Sequence, residues 1–482
     1  MTDMENIPIK KALLDYMNAD FVSFDVPGHK KNGINKEMTE FFGEKVLKMD
    51  ANSMKCLDNL QNPLGVIREA QNLMAKAYDA DRAFFLVNGT TSGIQIMIFS
   101  ALKHGEKILL PRNAHKSVIN SLILSGVTPE YIDLEYDNNF DLFTGVHVEK
   151  IEEKFKNDDE IKAILLINPS YYGVCCDLEE IIKTAKKYNK IVLVDEAHGA
   201  HFKFNKKLPK SAIELGADMV ATSLHKTGGS LTQSSVLLLN KGKIDEAKVE
   251  ETLNIFTTTS ASYLLLSSLD IAREYLVTKG SERLDEVIEY ASYFKEKISG
   301  YYDILDVSVL DNETVKDFDL TKLVVNVSKY NITGFQLYDI LRDEYRIQVE
   351  LADFHNILCI LSIGDSKENV DRLISALIEI STKLELQEKK AVHKDFFEIP
   401  EQVIDPRTAY FSKKISVNLR DSVGKISGEM ITVYPPGIPI ISYGERIEAE
   451  IIDYLEELRD NNCVIDGIAD KNIEKIKIIE ED

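Results

Sequence analysis

"KAILLINPSYYGVCCDLEEIIKTAKKYNKIVLVD", residues 162–195, holds two short apolar runs with a helical pattern between them. "KAILLI" (162–167) and "KIVLVD" (190–195) are rich in branched side chains and short, the signature of strands covered on both faces. Between them Leu178, Ile181, Ile182 and Ala185 recur at i, i+3, i+4 and i+7, which places them on one helix face. Asp177 and Glu180 stand at capping-box spacing and mark where that helix starts. Strand, helix, strand in succession predicts a parallel crossover unit.

The alternation extends both ways. "AFFLV" (83–87), "KILL" (107–110) and "MVATS" (219–223) are runs of the same kind, and Ile94, Met97, Ile98 and Ala101 form an apolar helix face after the first. The pattern predicts an α/β, doubly wound and mostly parallel sheet. Beyond about residue 250 it changes. "SYLLLSSLDIAREYLVTKG" (262–280) reads as a long helix, "TKLVVNVS" (321–328) as a strand, and Thr333 with Gln336 as the cap of a further helix. A charged stretch, "LELQEKKAVHKD" (384–395), precedes the last segment. The expected organisation is an N-terminal arm (1–45), a large domain (46–300) and a smaller C-terminal α+β portion (301–482).

Composition narrows the function classes. A chain of 482 residues exceeds one core, so two or three packed units are expected. A formal charge of −22 argues against binding a phosphate backbone; it suits a cationic small molecule or simply an acidic surface. Five cysteines, with Cys175 and Cys176 adjacent, describe neither a disulfide framework nor a C-x-x-C site. No run reaches the ~18–20 apolar residues of a membrane helix, and the start carries no signal-peptide core. The expectation is a cytoplasmic protein with no membrane or nucleic-acid partner.

Open α/β sheets bind ligands at the carboxyl ends of their strands, so the residues that follow each run matter most. After "AFFLV" comes "NGTTSG" (88–93), whose glycines allow a tight turn and whose Thr90, Thr91 and Ser92 bring hydroxyls to the free amides of a helix start. It suits a phosphate, or an ordinary capped turn, and it is neither a Walker loop nor a G-x-G-x-x-G fingerprint. "KIVLVD" ends on Asp195, a carboxylate that needs a cation or hydrogen bonds to offset its desolvation. His198 and His201 lack the H-E-x-x-H spacing and a clear third ligand, so no metal is expected. "DMVATSLHK" (218–226) brings Ser223, His225 and Lys226 to a third strand end. A surface lysine is the commoner case, but one held by burial and charge attacks carbonyls. Phosphate cradle, buried carboxylate and lysine are the handles that pyridoxal phosphate requires for its phosphate, ring nitrogen and aldehyde.

The chain resembles the ornithine/lysine/arginine decarboxylase family of fold-type-I pyridoxal-phosphate enzymes, in its shorter bacterial form. The matching pieces are "PGHK" (27–30), "NGTTSG", "PRNAHKS" (111–117), "NPSYYG" (168–173), "DEAHGAHF" (195–202), "SLHKTGGSLTQSS" (223–235), "TTTSASY" (257–263) and "YPPGIP" (434–439), in family order over nearly the whole chain. The resemblance implies that Lys226 condenses with the cofactor aldehyde, that Asp195 keeps the ring nitrogen protonated and that His115 stacks on the ring. It gives the phosphate to Thr90, Thr91, Ser223 and His225, and sets His198 beside the cofactor. Thr258 is similar to a threonine that reaches the phosphate of the neighbouring subunit.

The implied reaction is decarboxylation of a basic amino acid: arginine to agmatine by preference, with lysine to cadaverine and ornithine to putrescine open, in polyamine synthesis. Glu350 is the expected reader of the distal cation, with Asp353 behind it; a surface ion pair is the plain alternative. Departures from the family pattern are "PGHKKNG" for "PGHKGG", "DNLQ" (58–61) for "DDLH", Ala261 for a proline, and "YGE" (443–445) for "PGE". None removes the lysine, the aspartate or the hydroxyls. With "PGHK" starting at Pro27 there is no room for an N-terminal wing domain, and a homodimer or dimer of dimers with sites at the interface is expected. A fold-type-I aminotransferase or lyase stays open, since Arg342, Arg346 and Arg407 could clamp a carboxylate; so does a non-catalytic regulatory homologue.

Overall fold

The computed structural model describes residues 3–480 except 20, 32, 311–312, 388–398, 434–437 and 461–464. The "YPPGIP" motif therefore lies largely outside the described residues, as does part of the 384–395 stretch. The chain forms two units: Met1–Ser100, Leu193–Ile288 and Ser362–Asp365 in the first; Ala101–Val192, Glu289–Leu361 and Ser366–Asp482 in the second.

Seven strands carry the alternating part: β1 (Arg82–Leu86), β2 (Lys107–Pro111), β3 (Thr128–Ile132), β4 (Ile161–Ile167), β5 (Ile191–Asp195), β6 (Met219–Thr222) and β7 (Ser235–Leu239). Five of them are the apolar runs. The other two, β3 and β7, escape the pattern for different reasons. β3 reads "TPEYI", with a proline and a glutamate, as suits a strand with β2 as its only neighbour in the sheet order; Pro129, Tyr131 and Ile132 are buried, and Thr128 and Glu130 are half-buried. β7 reads "SVLLL", fully buried, and hides directly behind a hydroxyl-rich stretch.

In the first unit β1, β7, β6 and β5 lie side by side in that order. β7 is antiparallel to both its neighbours, and β5 is parallel to β6. So β1, β5 and β6 run the same way and end at one edge. In the second unit β2 lies between β3 and β4, all parallel. The sheet is thus mostly parallel, as the alternation predicts. The helix Gly89–Ala101 follows β1 and presses close on the strands, for a Cβ at Gly93 would stand 2.9 Å from Leu86 and 3.0 Å from Ala221. Any side chain there would make Leu86 and Ala221 give way.

The second unit continues into a four-stranded antiparallel sheet ordered Asp303–Ile304, Lys322–Asn326, Asn356–Ile360, Leu351–Ala352. Thr333 and Gln336 form the expected capping box of the helix Gly334–Asp343. The last segment has its own core of Leu419, Ile431, Ile441, Ile452, Leu455 and Ile476. Among the described residues no helix is long and apolar enough to cross a membrane.

Two buried charge sites show how the first unit closes. Arg273 and Asp270, both without exposed side-chain surface, pair at 2.9 Å on the helix Tyr263–Ile298. Arg273 also donates to the carbonyls of Met4, at 2.7 Å, and Asn6, while Asp270 accepts the Ile9 N–H at 3.0 Å. The pair therefore holds the start of the N-terminal helix Pro8–Asn18 by its backbone. Glu196, fully buried, accepts the Ser211 hydroxyl at 2.7 Å and the Ala212 N–H at 2.6 Å. Burial pushes its carboxyl up to about 8, with the neighbouring Glu214 and Asp195 adding to the rise.

Two outcomes follow. Arg273→Ala leaves a carboxylate buried without its cation and should cost about 3–5 kcal/mol of unfolding free energy in urea melts. A carboxyl raised in the folded state gives stability that is complete below its unfolded value and lost as pH rises toward about 8. Glu196→Gln should therefore gain on the natural protein in melting temperature between pH 5 and pH 8.5; a constant difference across that window would contradict a protonated Glu196.

Candidate active site

The strand register assembles the site. Leu86 lies opposite Ser235, Val236 opposite Thr222, and Asp195 opposite Ala221, so the ends of β1, β5 and β6 and the start of β7 share an edge. Gly89 turns with a φ of +69° and donates to the Gln233 carbonyl at 2.8 Å, which ties the start of the helix to the loop before β7. Thr90 is then buried with its hydroxyl 2.6 Å from Ser223 Oγ and 3.2 Å from Ser235 Oγ. Thr90 has one proton and gives it to Ser235, so Ser223 donates to Thr90. Thr91, in the same first turn, is exposed. The sequence reading missed Ser235; recognising "SVLLL" as a strand beside β1 would have revealed it.

Asp195 is buried and accepts the Ala197 N–H at 3.1 Å. Burial pushes its carboxyl above the ordinary range, and the charge of Lys226 pulls the other way. Lys226 lies on the one-turn helix Leu224–Thr227, and its Nζ is 2.8 Å from His198 Nε2. His225 Nδ1 is 2.8 Å from the Ser234 carbonyl, an acceptor, so this nitrogen carries the proton. Burial lowers the His225 pKa, which keeps the ring neutral at neutral pH. Thr258 is exposed, its Oγ1 accepting the Ser260 N–H at 3.1 Å.

The remaining predicted residues belong to the second unit. His115 caps the helix Lys116–Ser125, its Nδ1 accepting from the Ser117 N–H at 3.2 Å and hydroxyl at 2.8 Å. Glu350 is exposed and accepts the Tyr171 hydroxyl at 2.5 Å. Asp353 accepts the Tyr172 hydroxyl and the N–H groups of His355 and Asn356, at 2.8 and 2.7 Å, which closes its own turn. Burial raises its pKa. Of the arginines that could clamp a carboxylate, Arg342 pairs with Asp339 and Asp343, and Arg407 donates to the carbonyls of Ile123 and Leu124. Arg346 is exposed.

Thus Thr90, Asp195, His198, Ser223, His225 and Lys226 come together in the first unit. These residues fit pyridoxal phosphate. Thr90, Ser223 and Ser235, beside the free amides of a helix start, suit a phosphate. A buried carboxylate such as Asp195 suits a protonated ring nitrogen, and Lys226 suits an aldehyde.

Comparison with known proteins identifies the family. Residues 7–328 match the family model "Orn/Lys/Arg decarboxylase, major domain", and residues 389–473 match "Orn/Lys/Arg decarboxylase, C-terminal domain". Arginine decarboxylase of Bacillus subtilis (strain 168) is 38% identical over 479 residues, 98% of each chain. Arginine decarboxylase of Halalkalibacterium halodurans is 38% identical over 486 residues, 100% of this chain and 99% of that one. The crystal structure of the Francisella novicida lysine decarboxylase LdcF, 21% identical, superposes with a TM-score of 0.85 over 99% of this chain and 82% of that one, the same fold. The chain belongs to the Orn/Lys/Arg decarboxylase family of amino-acid decarboxylases.

Proposed function

We propose that this decarboxylase uses pyridoxal phosphate to convert arginine to agmatine. The arrangement of Lys226 and Asp195 on the strand edge that carries the Thr90, Ser223 and Ser235 hydroxyls supports the chemistry. The full-length likeness to chains named arginine decarboxylase supports the substrate. When bound, the cofactor supplies an electron sink for the bond that loses carbon dioxide.

The chain's own residues supply the rest. Lys226 provides the amine that bonds the cofactor and yields it to the substrate. Asp195 holds a proton on the ring nitrogen. The exposed Thr91 hydroxyl and the free amides of the helix start would hold the phosphate, with His225 at the same end. Thr90 and Ser223 would join them by turning their hydroxyl protons away from the buried cluster they form with Ser235. The stacking role of His115 rests on the family resemblance, and so does that of Thr258 toward a neighbouring subunit. Glu350 reads the distal cation, held in place by the Tyr171 hydroxyl. Asp353 supports that loop from within.

A second copy of the chain completes the reading. Phe21, Val22, Phe24, Ile34 and Phe41 of the arm are 66 to 92% exposed, more apolar surface than a lone arm keeps in water, and a homodimer or dimer of dimers would cover it. The cytoplasm is the expected compartment, and an amine product places the enzyme in polyamine synthesis.

Three measurements bear on this. Incubated with arginine, lysine and ornithine, the protein should release carbon dioxide and form agmatine fastest; amino-group transfer without carbon dioxide would reject the reading. Glu350→Gln removes a charge-assisted contact of about 1.5–3 kcal/mol, so KM for arginine should rise roughly 10- to 100-fold; an unchanged KM and kcat would clear Glu350 of the role. Light scattering after size exclusion should give a dimer or its multiple, and an active monomer would refute the interface.

A further inference from the structure

Lys226 Nζ and His198 Nε2 stand 2.8 Å apart. They are brought there by the sheet. His198 follows Asp195 at the end of β5, Lys226 follows the end of β6, and the two strands are bonded in parallel register with Asp195 opposite Ala221. The His198 loop is tight: Ala197 N–H is bound by Asp195 Oδ1, and Gly199 N–H donates to the Glu196 carbonyl at 2.9 Å. A Cβ at Gly199 would lie 2.6 Å from Glu196 Cγ and 3.0 Å from the Phe202 ring, so the loop has little room to shift. His198 is 5% exposed.

The chemistry of the contact is restrictive. A lysine ammonium has three protons and no lone pair, so beside it Nε2 must be the acceptor of a neutral imidazole. A lysine amine can instead accept from an imidazolium. The two arrangements differ by one proton on the line between the nitrogens: one N–H bond breaks at Nζ, one forms at Nε2, and the pair carries a single positive charge in both. Asp195, whose carboxylate lies in the field of Lys226, attracts that charge in either place. His225, the other imidazole at this helix, has its Nδ1 proton engaged by the Ser234 carbonyl.

An amine attacks a carbonyl only after it has lost its extra proton. We propose that His198 is the proton acceptor of Lys226: it takes the proton whose loss makes the amine nucleophilic and returns it when the amine is released. His198 touches the reacting amine and is a catalytic residue in this sense. The proposal rests on the reading that Lys226 bonds pyridoxal phosphate and assigns the neighbouring imidazole a task beyond packing against the cofactor.

The test is the pH dependence of cofactor uptake. Full-length protein stripped of cofactor is mixed with pyridoxal phosphate, and the growth of the visible absorbance of the lysine-bound cofactor is timed from pH 6 to 9. In His198→Phe and His198→Gln the rate profile, scaled to the final amount of cofactor each variant binds, should be displaced upward by about one pH unit, so that uptake near pH 7 is about tenfold slower. A profile matching that of the unaltered protein in either variant overturns the proposal. Should the Phe variant not fold, the Gln variant, which keeps a hydrogen-bonding group but cannot take a proton, decides by the same profile. Borohydride reduction and peptide mapping separate the two levels: no label on Lys226 in the unaltered protein sinks the cofactor reading and this inference with it. Label present with unchanged variant profiles sinks only the inference.

Discussion

The parallel pairing of β5 with β6 is the constraint on which the site depends. It sets Asp195 against Ala221 and so fixes, by backbone hydrogen bonds, where a carboxylate and the loop behind it meet the helix that carries Lys226. A lysine and an aspartate on flexible loops would find one another through solvent, where their attraction is weak; at the end of a buried sheet they are held with little reorganisation left to make. The hydroxyl cluster obeys the same logic. Thr90 reaches Ser223 and Ser235 because β7 lies between β1 and β6, with Leu86 opposite Ser235 and Val236 opposite Thr222.

Much of this was readable from residue order, and the parts that were not have physical reasons. Strands buried on both faces write themselves as apolar runs, so "AFFLV", "KIVLVD" and "MVATS" announced three strand ends and the residues after them. The Asp177 cap and the Thr333–Gln336 box were visible because capping is local: donor and acceptor lie within one helical turn. Ser235 was invisible because its place comes from pairing with a strand far away in sequence, which no local pattern encodes. The same holds for His198 against Lys226. The motif shows two nitrogen-bearing side chains on separate strand ends; only the register tells that they touch.

Glu350 and Asp353 show the limit from the other side. Three residues apart in "ELAD", they read as one acidic reader, yet their surroundings pull them to different tasks. Tyr171 and Tyr172, adjacent in "NPSYYG", each donate to one of them. Asp353 spends its remaining oxygen capacity on backbone N–H groups of its own turn, whereas Glu350 keeps an exposed carboxylate. A short polar side chain after a strand closes turns easily; a longer one, one methylene further out, stays available to a ligand.

The place of β7 between β1 and β6 also bears on how the chain comes into being. Phe84 finds its partner only when Leu237 has been made, so during synthesis β1 emerges long before the strand that covers its hydrogen-bonding edge. Until then an apolar edge stays open to strangers, a hazard for a nascent chain with mostly non-local pairings. Assembly of the strand edge thus waits on the late arrival of a single reversed strand, and slow or interrupted translation just before it would be expected to favour aggregates over enzyme.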